Sequence, residues 1–430
     1  MEHEEDIMSK KKKAKAVPAK KKSYDSTYSD RTSLDKYIKF GLLLLVFLLP
    51  LVVRLKMDVF ISPFISIGTV STGMHASFYS YYKWVILVSI TAVLLGLFII
   101  KMLQGYRLRS SYINLPLGVL AVIILLSTLV ADYKMISLVG YYDQHMGALT
   151  YLVGLLLMFI AAHTEFTERF GRWLTLALGT ATVLMAVISM INYAGIDLTQ
   201  YSAVRNALAG SQYSEYARGF FASTLGNQNH SSGLAAALLC YFGALLIWGR
   251  KQIPVLLTLL FAVSAVVLLL TSLSSSGIVA AFIGLAGLAV LAGLDMGWRR
   301  ILMIGSAAVI AGAIFIFSLA QLNPQLFAEV SFWKEYLPGQ PSWEENTGDS
   351  PRGLLEQKDW LAAGTGRGYI WANTVELIAD KPLLGHGANT LVYYYPHTDL
   401  NKNQKMMQIR TLVDKPHNTY LGIAFDFGLI

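Results

Sequence analysis

The chain has 430 residues, of which 54% are hydrophobic and only 14% are charged, whereas a soluble protein has about 25% charged residues. The apolar residues come in long blocks, which excludes an ordinary soluble domain and predicts an all-α bundle of transmembrane helices. The formal net charge is +8. Its basic residues lie at span ends and in the amino-terminal tail, so they indicate membrane orientation rather than a nucleic-acid partner. The single cysteine, Cys240, excludes an intrachain disulfide and a cysteine-based metal site.

Residues 1–37 predict a basic, disordered cytoplasmic tail, because Lys10 to Lys22 contains eight lysines and no acidic residue. Residues 38–320 contain nine apolar runs, each close to the ~20 residues that a helix needs to cross the hydrocarbon core. The predicted spans are Ile38–Val53, Trp84–Met102, Ile113–Ala131, Met146–Ala162, Trp173–Ile191, Ser231–Trp248, Ile253–Ser272, Gly277–Leu294 and Ile301–Ala320. A tenth span begins near Thr419, and residues 419–430 are too few to complete it, so we expect the sequence to be a fragment.

The connectors between the spans predict how the bundle is oriented. With the tail inside, the inside loops contain the basic pairs Arg107 and Arg109, Arg169 and Arg172, Arg250 and Lys251, and Arg299 and Arg300. Such pairs are typical of cytoplasmic loops. Two outside connectors are long, and we expect residues 321–418 to form a large extracytoplasmic loop that carries short amphipathic helices. The sequence thus predicts a multi-pass protein of the cell membrane, with its amino terminus in the cytoplasm.

Arg367 is the first candidate for a ligand-binding residue in the large outer loop. It stands between Gly366 and Gly368, at the start of a predicted helix. The apolar residues of this helix are Trp371, Val375 and Ile378, and Pro382 ends it. A guanidinium at this place can bind a diphosphate in a bidentate manner. It can equally contact lipid headgroups, and the residues alone leave both roles open.

His417 is the candidate for a general base, because an imidazole at a membrane surface titrates near neutral pH. It lies between Pro416 and Asn418, directly before the last apolar run. By itself, a lone histidine at a helix end is more often a cap or a headgroup contact, and this alternative stays open. Asn418 and His386, which stands between two glycines, are further candidates for substrate binding.

The connector before the sixth span supplies a second group of candidates. Arg218 can hold a phosphate, and Asn227 and Asn229 can bind sugar hydroxyls. Capping of the following helix explains the asparagines as well.

Several other kinds of site find no support in the sequence. The outer loops contain no carboxylate or histidine cluster with metal-ligand spacing, and no phosphate loop is present, so we predict neither a metal nor another cofactor. Few ionisable groups fall inside the predicted spans, with Asp426 as the main exception. This scarcity counts against an ion-driven transporter, which needs such groups in the membrane.

The motifs together resemble the O-antigen ligase and O-antigen polymerase family of bacterial envelope enzymes. Three stretches carry the resemblance: Arg218 to Gly233 with its Gly-Asn-x-Asn element, Gly366 to Gly387 with Gly-Arg, Trp and Pro-Leu-Leu-Gly-x-Gly, and Pro416 to Gly428 with His-Asn-x-Tyr-Leu. Two departures from the family pattern concern arginines. Gln144 or His145 stands where one arginine is usual, and Leu273 to Gly277 lacks a second one.

The resemblance implies a membrane glycosyltransferase that takes a glycan from undecaprenyl diphosphate. The glycan passes to an acceptor hydroxyl at the outer face of the cytoplasmic membrane, by a metal-independent, inverting reaction. In this chain His417 would be the general base, and Arg218 and Arg367 would bind the donor diphosphate. The implied partners are the lipid-linked oligosaccharide donor, a glycan, lipid or protein acceptor, and membrane lipids.

Three alternatives remain open at this point. A polymerase of the same family adds the glycan to another repeat unit instead of to a finished anchor. A polysaccharide flippase or transporter moves the lipid-linked sugar without transferring it. A non-catalytic membrane scaffold would not need the two arginines that the family pattern lacks here.

Overall fold

The apolar blocks of the sequence form helices wherever the chain is described. A computed structural model describes residues 33–61, 72–108, 110–217, 223–249, 253–297, 317, 367–397 and 412–429. Within these ranges the helices are α1 Ser33–Leu48, α2 Tyr81–Leu103, α3 Asn114–Val130, α4 Lys134–Val139, α5 Ala148–Ala162, α6 Glu168–Tyr193, α7 Ser202–Ala209, α8 Gln228–Trp248, α9 Val255–Thr271, α10 Ser275–Met296, α11 Arg367–Asp380, α12 Leu391–Tyr394 and α13 Thr419–Phe427. The strands are β1 Lys56–Phe60 and β2 Gly73–Ser77, and short 3₁₀ turns lie at Leu198–Gln200 and Ser211–Ala217.

Four of the described helices are long and apolar enough to cross a membrane: Tyr81–Leu103, Glu168–Tyr193, Gln228–Trp248 and Ser276–Met296. Three apolar helices are shorter, α3, α5 and α9. Eight of the predicted spans coincide with described helices, but the predicted number of about ten is not confirmed. The predicted span Ile301–Ala320 and most of the predicted large loop lie outside the described residues.

The bundle is held together by close contact between helices that carry small residues. Helix α8 packs against both α9 and α10, and α9 packs against α6. Their shared core includes Met185, Ala235, Leu268 and Ala281. A Cβ on Gly277 would overlap Ser232, so α8 and α10 approach as closely as they do because a glycine lies between them.

A two-stranded ribbon lies between α1 and α2, where the sequence analysis predicts no regular structure. Strand β1 pairs antiparallel with β2, with Val59 opposite Met74. On its other face, Phe60 contacts the rings of Tyr141 and Tyr142, at 5.3 and 5.2 Å between ring centroids. Because these aromatic partners come from a loop about 80 residues further on, no local pattern reveals the ribbon.

The opposite end of the bundle contains a buried ion pair. The Lys101 ammonium, only 1% exposed, lies 2.7 Å from a carboxylate oxygen of Asp35. It also donates to the His163 carbonyl at 2.9 Å and lies 3.9 Å from the Tyr106 ring centroid. A charge at a span end is tolerated when it is paired and hydrogen-bonded in this way. The pair fastens the first turn of α1 to the last turn of α2.

The carboxy-terminal segments attach to the bundle through backbone hydrogen bonds. The turn after α11 wraps around the end of α13, since His386 N donates to Phe425 O at 2.8 Å and Gly387 N to Asp426 O at 3.0 Å. Both Gly385 and Gly387 have positive φ, and a Cβ on Gly385 would lie 2.5 Å from Phe425 O, so the turn needs glycine there. The Ser127 hydroxyl of α3 donates to the Asp426 carbonyl at 2.7 Å, which ties α13 to the bundle.

Helix α11 packs against the protein through one side of its surface. The buried residues on it include Ile370, Thr374 and Ile378, whereas Trp371 and Val375 are exposed. Thr374 can be buried despite its polarity because its hydroxyl donates to the Ile370 carbonyl at 2.6 Å. Contact of Trp371 and Val375 with a membrane surface stays a prediction.

Candidate active site

One end of the bundle brings together polar residues from five separate parts of the chain. Helices α2, α5, α8, α10 and α13 all begin there. The Ser80 hydroxyl lies 3.1 Å from His145 Nδ1, which joins the start of α2 to the loop before α5. Trp371 Nε1 donates to the Pro416 carbonyl at 2.9 Å, which joins α11 to the segment before α13. These contacts make this end the candidate site.

His417 lies between two fixed points of the backbone. The residue before it, Pro416, accepts the hydrogen bond from Trp371. The residue after it, Asn418, caps α13 by accepting from Tyr420 N at 3.0 Å and from Leu421 N at 3.3 Å. His417 itself has a φ of 51°, a conformation that is uncommon for residues other than glycine. The backbone therefore holds the imidazole in one direction, with its side chain exposed to solvent.

The surroundings of His417 favour its neutral form. Partial desolvation by the neighbouring protein lowers the pKa of the imidazole. The negative charge of Asp414 acts in the opposite sense, and the positive charges of Lys415 and Arg367 lower the pKa further. A neutral imidazole near neutral pH is the form that a general base requires.

Arg367 is the first residue of α11 and lies close enough to His417 for its charge to act on the ring. Its side chain is partly buried. Among the residues that the structure describes, no carboxylate forms an ion pair with this guanidinium. Two of the three residues that the sequence analysis selects thus lie together. The third, Arg218, falls outside the described residues.

The candidate asparagines have structural contacts of their own. Asn227 caps α8, because its side-chain oxygen accepts from Asn229 N at 2.8 Å and from His230 N at 3.3 Å. The side-chain oxygen of Asn229 accepts from the hydroxyls of Ser274 and Ser276, at 2.7 and 3.1 Å. Capping, the alternative given above, is present at Asn227 and also at Asn418. Binding of sugar hydroxyls by these three residues stays a prediction.

His386 packs in the interior near α13. Its ring stacks on Phe425 with 4.7 Å between centroids, and its Nε2 lies 2.7 Å from the Leu377 carbonyl, which accepts the hydrogen bond. Burial is the main reason that the pKa of this imidazole is lowered. The side chain is only 3% exposed. These contacts give His386 a packing role, and its proposed role in substrate binding stays a prediction.

Gln144 connects the site to the loop before α5. Its amide nitrogen donates to the Asp414 carboxylate, and its oxygen accepts from Asn389 Nδ2 at 2.7 Å. Since the charge of Asp414 acts on His417, Gln144 positions a group that tunes the candidate base. His145, the other residue at the departure from the family pattern, is buried between Tyr81 and Trp84 instead. Of the two, Gln144 is therefore the residue that contacts a group acting on His417.

Two more residues at this end are absent from the sequence-based candidates. The charges of Lys415, Lys83, Asp414 and His417 all act on the His230 ring, so His230 lies among them. The only sequence signal for His230 is its place directly after the Gly-Asn-x-Asn element. Lys83 lies in the first turn of α2. No sequence motif identifies it, because it is separated from the other candidates by more than 130 residues along the chain.

A comparison with known protein families matches the carboxy-terminal part of the chain. Residues 259–430 match the O-antigen ligase family. The match confirms the resemblance for two of the three motif stretches, Gly366 to Gly387 and Pro416 to Gly428, and it includes both Arg367 and His417. The stretch from Arg218 to Gly233 lies outside the matched residues. The matched family indicates a membrane glycosyltransferase, with glycan transfer of the ligase or polymerase type. No curated protein and no solved structure matches the chain.

Proposed function

We propose that this protein transfers a glycan from undecaprenyl diphosphate to an acceptor hydroxyl at the outer face of the bacterial cytoplasmic membrane. His417 is the general base, and Arg367 and Arg218 bind the diphosphate of the donor. The observation that supports this assignment is the pairing of Arg367 with His417: the guanidinium charge acts on the imidazole, and the bond from Trp371 to Pro416 holds their segments together.

The reaction uses these side chains in one displacement. Neutral His417 accepts the proton of the acceptor hydroxyl. The acceptor oxygen forms a bond to the anomeric carbon while the bond from that carbon to the diphosphate oxygen breaks, with inversion. The electron pair leaves with the lipid diphosphate, and the guanidinium of Arg367 stabilises the negative charge that develops there. The Asp414 carboxylate stabilises the imidazolium that results, because it favours the protonated ring.

Transfer by purified protein from a lipid-linked oligosaccharide donor tests the proposal. We expect His417→Ala to lower the transfer rate by a factor of about 10² to 10⁴, the usual contribution of a general base. Arg367→Ala should lower the transfer rate by a factor of about 10² or more, because the negative charge on the leaving diphosphate then lacks the stabilising guanidinium. The reaction products also distinguish a ligase from a polymerase. A ligase attaches the glycan to a lipid or protein anchor, whereas a polymerase adds it to another repeat unit and lengthens the glycan chain.

Two matched variants control for indirect damage. Met135→Ala changes a 71% exposed side chain in α4, at the same end of the bundle as His417. Arg172→Ala removes an exposed arginine at the start of α6, at the other end of the bundle. Both should transfer glycan at the normal rate. Full activity of His417→Ala would remove the assignment of the base.

A further inference from the structure

Lys83 is a half-buried cation for which the described structure provides no negative partner. Its ammonium donates to the Thr224 carbonyl at 2.7 Å, which uses one of its three N–H donors. Among the described residues, the ion pairs involve Lys101 and Lys381, and none involves Lys83. A partly buried ammonium is costly unless it is paired, so a charge at this place suggests an anionic ligand.

Two buried hydroxyl groups at and just before the start of α8, the region that Lys83 contacts, have no hydrogen-bond partner within the described parts of the chain. They belong to Thr224, which is 2% exposed, and to Ser231, which is 1% exposed. Thr224 is the residue whose carbonyl accepts from Lys83, and Ser231 follows His230 in the first turn of α8. Because buried polar groups are normally hydrogen-bonded, these two donors need an acceptor that the described residues do not supply.

The acidic residues at this end are engaged elsewhere. Asp414 accepts from the Gln144 amide. Asp143 interacts with Ser77, and both carboxylates lie near Lys415. Lys415 therefore has negative charge close to it, whereas neither of the described ion pairs includes Lys83.

We propose that Lys83, the hydroxyls of Thr224 and Ser231, and the His230 imidazole bind a phosphate group of the lipid-linked donor. The inference rests on the proposed function and adds a second phosphate-binding position to Arg367. A phosphate offers several acceptor oxygens and negative charge, which suits one ammonium and two hydroxyl donors. Lys83 keeps its bond to Thr224 O and has two further donors for the ligand.

The position of Lys83 also explains how the chain can function without the arginine that is missing between Leu273 and Gly277. Ser274 and Ser276 donate to Asn229 on one side of the start of α8. Lys83 approaches the same helix start from α2, through its bond to Thr224. The positive charge near the start of α8 thus comes from Lys83 on α2 instead of from an arginine between Leu273 and Gly277.

The test measures binding of undecaprenyl diphosphate to the full chain in nanodiscs of zwitterionic lipid. Loss of one charge-assisted interaction in Lys83→Gln should weaken binding about tenfold or more. Lys83→Arg, which keeps the charge, should restore most of the affinity. Lys134→Gln, which removes an exposed lysine at the same end of the bundle, should bind like the unaltered protein.

A second arm replaces undecaprenyl diphosphate with phosphatidylglycerol, which carries a phosphate but no diphosphate. We expect its binding to be unchanged by Lys83→Gln. If Lys83→Gln weakens the binding of both lipids equally, the site belongs to phospholipid headgroups. If a folded Lys83→Gln variant binds undecaprenyl diphosphate normally, Lys83 forms no phosphate site. Either result overturns the proposal.

The outcome is separable from that of the proposed function. His417→Ala should lose transfer and still bind undecaprenyl diphosphate with normal affinity. If His417→Ala transfers glycan while Lys83→Gln loses binding, the base assignment fails and the phosphate site stands. If Lys83→Gln binds normally while His417→Ala is inactive, the phosphate site fails and the base assignment stands.

Discussion

At the scale of single residues, the side chains around His417 determine how transfer depends on pH. Only the neutral imidazole can accept a proton, so transfer rises with pH through the pKa of His417 and then levels off. Desolvation, Lys415 and Arg367 lower this pKa from its ordinary value of 6.5, against the effect of Asp414. We therefore expect kcat/KM to reach half of its maximum below pH 6.5.

Two substitutions should move this half-maximal pH in opposite directions. Asp414→Asn removes the charge that raises the pKa of His417, so the midpoint should shift to lower pH. Lys415→Gln removes a charge that lowers the pKa, so the midpoint should shift to higher pH. The measurement is kcat/KM across the pH range for all three proteins. Identical midpoints in the three would contradict the assignment of His417 as the titrating base.

At the scale of secondary-structure elements, the cap of α13 couples helix stability to the position of the base. Asn418→Ala removes the acceptor for Tyr420 N and Leu421 N and should lower the free energy of unfolding by about 1 kcal/mol. Transfer should fall too, because the backbone next to His417 loses its fixed point. Asn418→Ser keeps a capping oxygen and should retain both properties. The measurements are the thermal unfolding midpoint and the transfer rate.

The serine variant also separates capping from substrate binding. A side chain that only caps the helix leaves KM unchanged when serine replaces it. Normal stability of Asn418→Ser together with a raised KM for the donor or the acceptor would instead show that the asparagine contacts substrate.

Elements differ in how far the sequence predicts them. Long apolar runs predict helices well, because burial in a membrane leaves the backbone no other partners. The ribbon of β1 and β2 escapes prediction, since its strands have five residues each and its aromatic partners are distant in sequence. For the same reason Arg367 and His417 stand out by their motifs, whereas Lys83 gains meaning only from its bond to Thr224.

At the scale of the whole molecule, the two ends of the bundle should face opposite sides of the membrane. The basic pairs of the connectors predict that the end with Lys101 is cytoplasmic and the end with His417 extracytoplasmic. Met135, 71% exposed in α4, lies at the end with His417. Phe166, 46% exposed between α5 and α6, lies at the end with Lys101.

Cysteine labelling checks this orientation in a Cys240→Ser background, because the chain has one cysteine. An impermeant maleimide should label Met135→Cys in spheroplasts. It should label Phe166→Cys only after the membrane has been made permeable. The reverse pattern would place the candidate site in the cytoplasm, where an extracytoplasmic acceptor is absent, and the proposed reaction would be untenable.

The hydrogen bonds that fasten α13 have a consequence for synthesis on the ribosome. The base, its cap and the carbonyls of Phe425 and Asp426 come from the last residues described, whereas their partners on α3 and in the turn at Gly387 are made earlier. A nascent chain that has already inserted its earlier helices therefore still lacks the proposed proton acceptor. Under the proposed mechanism, transfer begins only after α13 has docked onto α3 and the turn at Gly387, so an incompletely folded chain consumes no lipid-linked sugar.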